Sequence, residues 1–236
     1  MGGPAARLRS LDWPAIEQSL DERGYASLPR LLTPADCRRT AALWEHRERF
    51  RSAVVMERMR FGRGEYRYFA HPLPAVVTGL RAAVYAQLAA IANRWAANLG
   101  SREQFPSSLE TFLARCARAG QRRPTPLILR YGPGDYNCLH QDLYGGVVFP
   151  LQVAIGLDRP GRDYTGGELL LVEQRPRAQS KGAAITIPQE DGIVFTTRAR
   201  PAAGRHGFHR VVMRHGASEV RTGQRRVLGL IFHDAA

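Results

Sequence analysis

The sequence predicts an α+β fold in which a mainly helical N-terminal half supports a β-rich C-terminal half. Up to about residue 125, apolar residues recur at helical spacing, whereas from Pro126 onward short β-branched segments alternate with Gly, Pro and Asp turns. Seven or eight such segments within about 110 residues are typical of an antiparallel sandwich or barrel. No low-complexity linker separates the halves. We therefore expect residues 1–236 to form one domain, with support in residues 1–125 and the β-core in residues 126–236.

Capping signals predict three helices in the first half. Thr33-Pro34-Ala35-Asp36 combines an N-cap hydroxyl, a proline at N1 and an acid at N3, so a helix should run from there to about Arg49. A second helix should span residues 74–99 and end at Gly100. Ser107-Ser108-Leu109-Glu110 is a capping box that opens a third helix ending near Gly120. The segment GYASLPRLL, residues 24–32, predicts a short strand before the first helix.

The strands of the second half are predicted from their composition and the turns between them. They are LILRY (127–131), FPLQVAIGL (149–157), GGELLLVEQ (166–174), AAITI (183–187), GIVFTT (192–197), HRVVMRH (209–215) and RRVLGLIF (225–232).

The formal net charge of +13 suggests a polyanionic partner, because clustered cations bind phosphates by counterion release. Lys181 is the single lysine among 34 basic residues, so an arginine-rich composition explains the charge equally well. Two segments, residues 173–180 and 198–210, are cationic but carry no diagnostic motif. Charge alone does not decide between these interpretations.

The sequence favours a cytoplasmic location. The N-terminal residues lack the apolar region of a signal peptide, and no apolar run is expected to cross a bilayer. Cys37, Cys116 and Cys138 lack metal-site spacing, so we expect reduced thiols and no structural zinc site.

The stretch YGPGDYNCLHQDLYGG, residues 131–146, places His140 and Asp142 two residues apart after a run of turn-forming residues. In an extended strand, residues i and i+2 share a face, so the imidazole and the carboxylate converge on one point. His215, at the end of a later strand, supplies a second imidazole. Two neutral imidazoles and one carboxylate form the facial triad that holds non-heme Fe(II) with three open positions. We therefore predict that His140, Asp142 and His215 hold Fe(II).

A basic residue follows where a co-substrate would need one. Gly223 turns the chain, and Arg225 opens the next strand ten residues after His215. A 2-oxo acid fits two open positions on the iron and O2 fits the third, while the distal carboxylate of the 2-oxo acid requires a buried cation. Arg225 and Arg226 point to opposite faces of the strand, so one of them enters the barrel. The register with Gly223 favours Arg225.

Three other histidines compete with His215. His206 lies in a Gly- and Ala-rich loop, and His209 shares a strand face with His215. His233 follows the last strand, where packing is the favoured role. Of the four, His215 has the Gly turn and the arginine at the required distance.

On these residues the chain resembles the 2-oxoglutarate/Fe(II)-dependent oxygenases, whose core is a double-stranded β-helix of the jelly-roll or cupin-like type. RYGPGDYNCLHQD is similar to the segment that leads into the iron ligands of AlkB-type nucleic-acid demethylases, where the tyrosine at the position of Tyr131 contacts 2-oxoglutarate. Residues 24–236 resemble more closely a group of bacterial oxygenases described as acting on damaged DNA. The shared segments include FGRGEYRYFA, GGELLLVEQRPRAQS and the ending GLIFHDAA.

One departure concerns the AlkB-type enzymes, which carry a second arginine six residues after the first. The corresponding residues here are Ile231 or Phe232. The spacing from His215 to Arg225 is closer to that of prolyl-hydroxylase-like oxygenases.

The resemblance implies a dioxygenase that uses Fe(II), 2-oxoglutarate and O2, with Arg225 and Tyr131 at the 2-oxoglutarate. It also implies oxidative demethylation of alkylated DNA or RNA, and hence DNA repair. Tyr131 also fits a core aromatic, because LILRY has the alternation of a buried strand. Two alternatives stay open: a 2-oxoglutarate-dependent hydroxylase of a protein side chain or small metabolite, and a non-catalytic barrel that binds nucleic acid. The sequence does not determine the lesion or the oligomeric state.

Residues 49–72 interleave arginines with aromatic residues and are the predicted substrate lid. Arginines could follow phosphates while aromatic rings stack on an extruded base. The predicted substrate contacts are Arg60, Arg63, Tyr66, Arg67 and Tyr68. The alternative is an irregular segment whose aromatic side chains pack over the barrel mouth.

Overall fold

The computed structural model describes residues 4–175 and 177–236, with most helices preceding the β-core as expected. The helices are α1 (Pro4–Arg9), α2 (Trp13–Arg23), α3 (Pro34–Ala42), α4 (Met56–Met59), α5 (Ala75–Asn98) and α6 (Leu109–Arg118), with 3-10 turns at Leu43–Glu45 and Arg47–Arg49. The strands are β1 (Tyr25–Leu28), β2 (Phe50–Val55), β3 (Gly62–Arg63), β4 (Glu65–Phe69), β5 (Leu127–Tyr131), β6 (Tyr136–His140), β7 (Leu151–Gly156), β8 (Tyr164–Gly166), β9 (Leu169–Gln174), β10 (Lys181–Ile185), β11 (Gly192–Thr196), β12 (Ala199–Gly204), β13 (Gly207–Ala217), β14 (Val220–Gly223) and β15 (Arg225–Ile231).

The strands form two large antiparallel sheets. The seven-stranded sheet has the order β1-β11-β7-β15-β5-β4-β2, and the six-stranded sheet has the order β10-β9-β13-β6-β3, with β12 paired to β13 beside it. A two-stranded sheet of β8 and β14 completes the arrangement. The predicted antiparallel sandwich or barrel is thus present, and the register across β6 and β13 decides which side chains meet.

Buried strands at the centre of the seven-stranded sheet separate two hydrophobic cores. In β7, Val153 and Ile155 face a core shared with the helices, whereas Ala154 faces the core between the sheets. This division follows from the alternation of side chains along a strand. The first core contains residues from Leu8 to Phe232, so the helical half and the β half share it.

Helix α5 is the main support of the seven-stranded sheet. It is 24 residues long with a hydropathy of 1.5, so its length and composition would allow it to cross a membrane, contrary to the expectation from the sequence. Its apolar residues, among them Leu80, Leu88 and Trp95, are buried in the core shared with the sheet. Core packing therefore accounts for its hydropathy.

Two parts of the N-terminal half differ from the predictions. The helix that begins at Thr33 ends at Ala42 rather than near Arg49, because the following 3-10 turn buries Trp44 beneath the guanidinium of Arg67. Residues 50–69, expected as a substrate lid with an irregular segment as the alternative, contribute β2, β3 and β4 to the sheets and contain α4. Both differences arise from contacts with distant residues, which local sequence patterns do not contain.

The predicted turn at Gly223 is present between β14 and β15. Gly223 has φ +77°, and a Cβ atom there would collide with the carbonyl oxygen of Asp163. A glycine is therefore required at this position. The turn sets the register in which Arg225 begins β15.

Candidate metal centre

The structure brings His140, Asp142 and His215 together at the end of β6. His140 is the last residue of β6 and is paired with His215 on β13, so both imidazoles lie side by side with ring centroids 4.2 Å apart. Asp142 Oδ2 lies 3.1 Å from His215 Nε2, and Asp142 Oδ1 lies 3.6 Å from His140 Nε2. One ligand atom from each residue lies within 4.8 Å of the others. The group thus has the geometry to hold one metal ion.

The charges of the group suit a divalent cation. Burial would raise the pKa of the Asp142 carboxyl, but the neighbouring His215 and His140 outweigh it and hold this pKa well below its usual value. Burial lowers the pKa of His215, against the attraction of Asp142. These shifts favour an ionised Asp142 and a neutral His215, the forms that bind metals. Burial lowers the pKa of His140, but its contacts with Asp142 outweigh this and raise it.

The ring of His140 is oriented by the backbone. Its Nδ1 donates a hydrogen bond to the Cys138 carbonyl oxygen at 2.8 Å, which directs Nε2 towards the group. The competing histidines are not part of this group: His206 and His209 are exposed, and His233 is buried behind Tyr144, with ring centroids 5.9 Å apart. Burial lowers the pKa of His233 to about 4, so it is a neutral packing residue.

A pair of tyrosines supports the carboxylate. Tyr144 Oη donates a hydrogen bond to Asp142 Oδ1 at 2.6 Å, and Tyr68 Oη donates to Tyr144 Oη at 2.8 Å. Burial, together with the charge of Asp142, raises the pKa of Tyr144, so its hydroxyl stays protonated. Because Tyr144 occupies Oδ1, Oδ2 is the oxygen left free for a metal.

We expect Tyr144→Phe to weaken divalent-metal binding by roughly 10- to 100-fold, as losses of such supporting hydrogen bonds do. Calorimetric titration with Mn²⁺ measures the effect. Tyr85→Phe is the matched control, because Tyr85 Oη bonds the Pro106 carbonyl in the helical core. Equal affinities of the two variants would show that Tyr144 does not orient Asp142.

A second polar group lies inside the barrel, where Arg225 and Tyr131 are cross-strand partners on β15 and β5. Arg225 is 4% exposed and its guanidinium lies 5.4 Å from the Tyr131 ring centroid. Within residues 4–175 and 177–236, no carboxylate forms an ion pair with it, and its Nε has no hydrogen-bond partner. An unpaired buried guanidinium is costly, so this position is suited to an anionic ligand.

The two adjacent arginines are separated as the alternation predicts. Arg226 points outward and forms a bidentate pair with Asp158, with distances of 3.0 and 2.6 Å. Gly167 makes room for the inward Arg225, since a Cβ atom there would lie 2.7 Å from Arg225 Cδ. Arg225 is therefore the arginine that faces the barrel interior.

A cavity of about 320 Å³ opens beside the three candidate ligands. Three of the predicted substrate contacts, Arg60, Tyr66 and Tyr68, line it, and the half-exposed Phe61 lies between them in sequence. The Tyr66 and Tyr68 rings meet edge to face with centroids 5.4 Å apart. Leu127, Leu129 and Leu139 add apolar wall. The cavity therefore suits a flat, partly apolar group.

The other two predicted contacts do not line this cavity. Arg63 is exposed and pairs with Glu57 at 3.0 Å. Arg67 is buried, pairs with Glu65 at 2.7 Å, and stacks on Trp44 at 4.0 Å. On β4 its side chain points opposite to those of Tyr66 and Tyr68, so the prediction that it contacts substrate is corrected to a packing role.

Comparison with known proteins decides the family. Residues 64–235 match an oxygenase family described as "Oxygenase, catalysing oxidative methylation of damaged DNA". An uncharacterized protein of Mycobacterium tuberculosis (strain H37Rv) is 55% identical over 168 residues, which are 71% of this chain and 72% of that protein. The chain belongs to this oxygenase family. The oxygenase also has an equally similar relative in M. tuberculosis strain CDC 1551 / Oshkosh.

Solved structures confirm the fold of the oxygenase. A Pseudomonas putida prolyl-4-hydroxylase superposes with a TM-score of 0.56 at 14% identity, covering 95% of this chain and all of that one. A 2OG-Fe(II) oxygenase from Burkholderia pseudomallei superposes with a TM-score of 0.54 at 16% identity, covering 96% and 93% of the two chains. The predicted double-stranded β-helix core is confirmed, and the fold is the one found in these solved 2-oxoglutarate/Fe(II) oxygenases. Within this fold the structure places, among the residues that it describes, one group of three side chains, His140, Asp142 and His215, that could hold a metal ion.

Three polar residues of the oxygenase site were missed in the sequence. Tyr144 lies two residues after Asp142, so the spacing that relates His140 to Asp142 extends to it. Tyr164 lies beside Arg225, which opposes the rise that burial causes in the pKa of Tyr164. Asn137 neighbours the buried hydroxyl of Tyr131. Tyr164 precedes a Gly-Gly turn and Asn137 lies in a turn-rich stretch. The surrounding sequence indicates a place near Tyr131 and Arg225 for neither of them.

Proposed function

We propose that the oxygenase is an Fe(II)/2-oxoglutarate-dependent dioxygenase that oxidatively removes alkyl groups from damaged bases in nucleic acid. The observation that carries the proposal is the aromatic-lined cavity that opens directly onto His140 and Asp142. A group bound there would lie next to the metal position, between aromatic rings and leucine side chains. The family description, which names damaged DNA, supports the same substrate class.

The residues present fit both cofactors. His140, Asp142 and His215 are two imidazoles and one carboxylate, the donor set that non-heme Fe(II) oxygenases use. Arg225 would pair with the distal carboxylate of 2-oxoglutarate, because a planar guanidinium binds a carboxylate bidentately. Tyr131 and Tyr164 would flank the same ligand. The orphaned Nε of Arg225 is the observation that favours an anion there.

When bound, iron and 2-oxoglutarate supply an oxidation in which O2 is consumed, 2-oxoglutarate leaves as succinate and CO2, and one oxygen atom enters a substrate C–H bond. On an N-methyl group this insertion gives an N-hydroxymethyl group, which breaks its C–N bond to release formaldehyde and the restored N–H. The second step needs no acid or base from the protein. The remaining tasks of the chain are to bind, orient and exclude water.

The cavity walls supply the contacts that an extruded base requires. Phe61 and Tyr66 present ring faces on which a base can stack, a contact worth about 1–3 kcal/mol per base. Arg60 carries a cation at the mouth, where a phosphate of the same nucleotide would lie. Tyr68 is committed to Tyr144 by its hydrogen bond, so its role is to hold the wall and the carboxylate.

The test is turnover on defined oligonucleotides. Protein loaded anaerobically with Fe(II) and 2-oxoglutarate is exposed to air with single-stranded oligonucleotides that carry one N-methylated base. We expect formaldehyde and succinate in equal amounts from methylated oligonucleotides, and no formaldehyde from unmodified ones of the same sequence. Asp142→Ala protein is the blank for oxidation by free iron.

A panel of methylated DNA and RNA that neither releases formaldehyde nor stimulates succinate formation would contradict the proposal. The open alternative is then hydroxylation of a protein side chain or a small metabolite, and the same succinate assay on those compounds tests it.

A further inference from the structure

A hairpin beside the metal centre carries a concentrated positive charge that the proposed chemistry does not use. Residues 198–214, here called the basic hairpin, contain five arginines and no aspartate or glutamate. They form β12 and most of β13. The neighbouring hairpin of β9 and β10 adds Arg177 and Lys181, whereas its Arg175 pairs with Glu173. Two adjacent hairpins of the six-stranded sheet thus both carry more positive than negative side chains.

One of the five arginines has a structural role. Arg200 is 1% exposed, and it bonds the backbone carbonyls of Asp21 and Glu22 as well as the carboxylate of Glu173. It therefore anchors the base of the hairpin to the end of α2 and to β9.

The other four arginines are exposed and lack such partners. Arg198, Arg205, Arg210 and Arg214 are exposed, and none of them forms an ion pair within the described ranges 4–175 and 177–236. By contrast, Arg63 and Arg67 near the cavity are each neutralised by a glutamate. The basic hairpin therefore presents four exposed arginines that no carboxylate neutralises within the described residues.

The basic hairpin is fixed relative to the metal centre. Gln141, between the candidate ligands His140 and Asp142, donates hydrogen bonds to the carbonyl oxygens of Arg198 at 3.1 Å and Met213 at 2.8 Å. His215 itself lies on β13, next to Arg214. The basic hairpin is thus held in place relative to the candidate metal ligands.

The direction of the hairpin follows from the strand register. His215 pairs with His140, the last residue of β6, so the part of β13 before His215 continues past the end of β6 where the candidate ligands lie. At 3.3 Å per residue, the hairpin extends about 30 Å from His215. Phe208, near its tip, is 52% exposed. Exposed arginines with an aromatic ring among them match the way proteins bind nucleic-acid strands.

We propose that the basic hairpin binds the phosphodiester backbone of the nucleic-acid strand whose damaged base occupies the cavity, with Phe208 stacking on a neighbouring base. This inference rests on the proposed function, because the bound strand is the nucleic-acid substrate of that function. In this proposal the basic hairpin provides affinity for the nucleic-acid strand, and the cavity selects the damaged base.

The experiment compares two triple variants that remove equal charge. Arg205→Ala, Arg210→Ala and Arg214→Ala are combined in the test variant, and Arg9→Ala, Arg38→Ala and Arg118→Ala, all exposed on helices, in the control. Binding of a fluorescein-labelled single-stranded oligonucleotide is followed by anisotropy from 50 to 300 mM salt. Unfolding midpoints establish that both variants are folded.

We expect the test variant to flatten the slope of log K against log salt by about 2, because each lost phosphate contact removes about 0.7 on single strands. At 0.1 M salt, a change of about 2 in this slope corresponds to a roughly 100-fold loss of affinity for the oligonucleotide. The control variant should retain the wild-type slope. Phe208→Ala should weaken binding with the slope unchanged, since stacking releases no counterions.

Equal slopes of log K against log salt for the test and control variants would overturn the hairpin proposal. It would also be overturned if poly-glutamate displaced the labelled oligonucleotide as well as unlabelled oligonucleotide does at the same concentration of charge. The proposed function fails in a different way: wild-type protein would bind no oligonucleotide, and no oligonucleotide would stimulate its succinate formation. A wild type that binds and turns over, with a hairpin variant that does the same, refutes the hairpin proposal alone.

Discussion

Asp142→Ala should abolish Fe(II) binding. Asp142 would be the one anionic ligand of the metal, and it lies 3.1 Å from His215 Nε2 and 3.6 Å from His140 Nε2. Without it, two neutral imidazoles face a divalent cation in a partly buried position, where an uncompensated charge is strongly unfavourable. The loss of affinity should exceed the roughly 10- to 100-fold effect of removing a supporting hydrogen bond.

The measurement is the weak visible charge-transfer band of the Fe(II)–2-oxoglutarate chelate under anaerobic conditions. Wild-type protein should develop the band, and Asp142→Ala should not. Asp163→Ala is the matched control, because its carboxylate pairs with Arg159 on the surface. A band that survives in both Asp142→Ala and His215→Ala would mean that the metal binds elsewhere.

The second large effect is expected at Arg225. Its removal leaves the distal carboxylate of 2-oxoglutarate buried without a partner, a loss of about 2–5 kcal/mol for one member of a buried charge pair. That corresponds to a roughly 30- to 4000-fold weaker affinity for 2-oxoglutarate, at about 1.4 kcal/mol per tenfold change. Titration of 2-oxoglutarate into Mn²⁺-loaded protein, followed by calorimetry, measures it.

The adjacent arginine provides the control. Arg226 has the same charge but faces outward, where it pairs with Asp158 at 2.6 Å. Arg226→Ala should therefore keep nearly the full affinity for 2-oxoglutarate. Arg225→Lys should be intermediate, since lysine keeps the charge but cannot bind a carboxylate bidentately. Equal losses in Arg225→Ala and Arg226→Ala would exclude Arg225 as the co-substrate residue.

Strand periodicity explains why the candidate ligands could be found in the sequence. His140 ends β6 and Asp142 follows two residues later, just beyond the strand, while Arg225 and Arg226 are separated by the alternation of a strand. Gly223 is required by its backbone conformation and by its approach to Asp163, so the turn before Arg225 is visible in the sequence. Each of these features depends on residues within about three positions of one another.

The substrate contacts of the predicted lid were only partly predictable. Side chains of β4 alternate between a buried face and a face that lines the cavity, so neighbouring residues have different roles. Arg67 and Tyr68 are neighbours on β4, yet Arg67 packs on Trp44 and Tyr68 lines the cavity. In the sequence, Arg67 and Tyr68 both belong to a segment that interleaves arginines with aromatic residues. Which face of β4 meets the cavity depends on its pairing with β5, and that pairing joins residues about 60 positions apart.

The sequence by itself determined the α+β class and the positions of eight strands, since these follow from local periodicity and turn chemistry. It also predicted the set of His140, Asp142, His215 and Arg225, from strand spacing and from the turn at Gly223. Only the tertiary structure decided that Tyr144 and Tyr68 support Asp142, that Tyr164 lies beside Arg225, and that the basic hairpin extends from the metal centre. The physical reason is that these relations come from strand register and from the packing of distant segments. A side chain's partners across a sheet depend on which strands pair, and no short stretch of sequence contains that information.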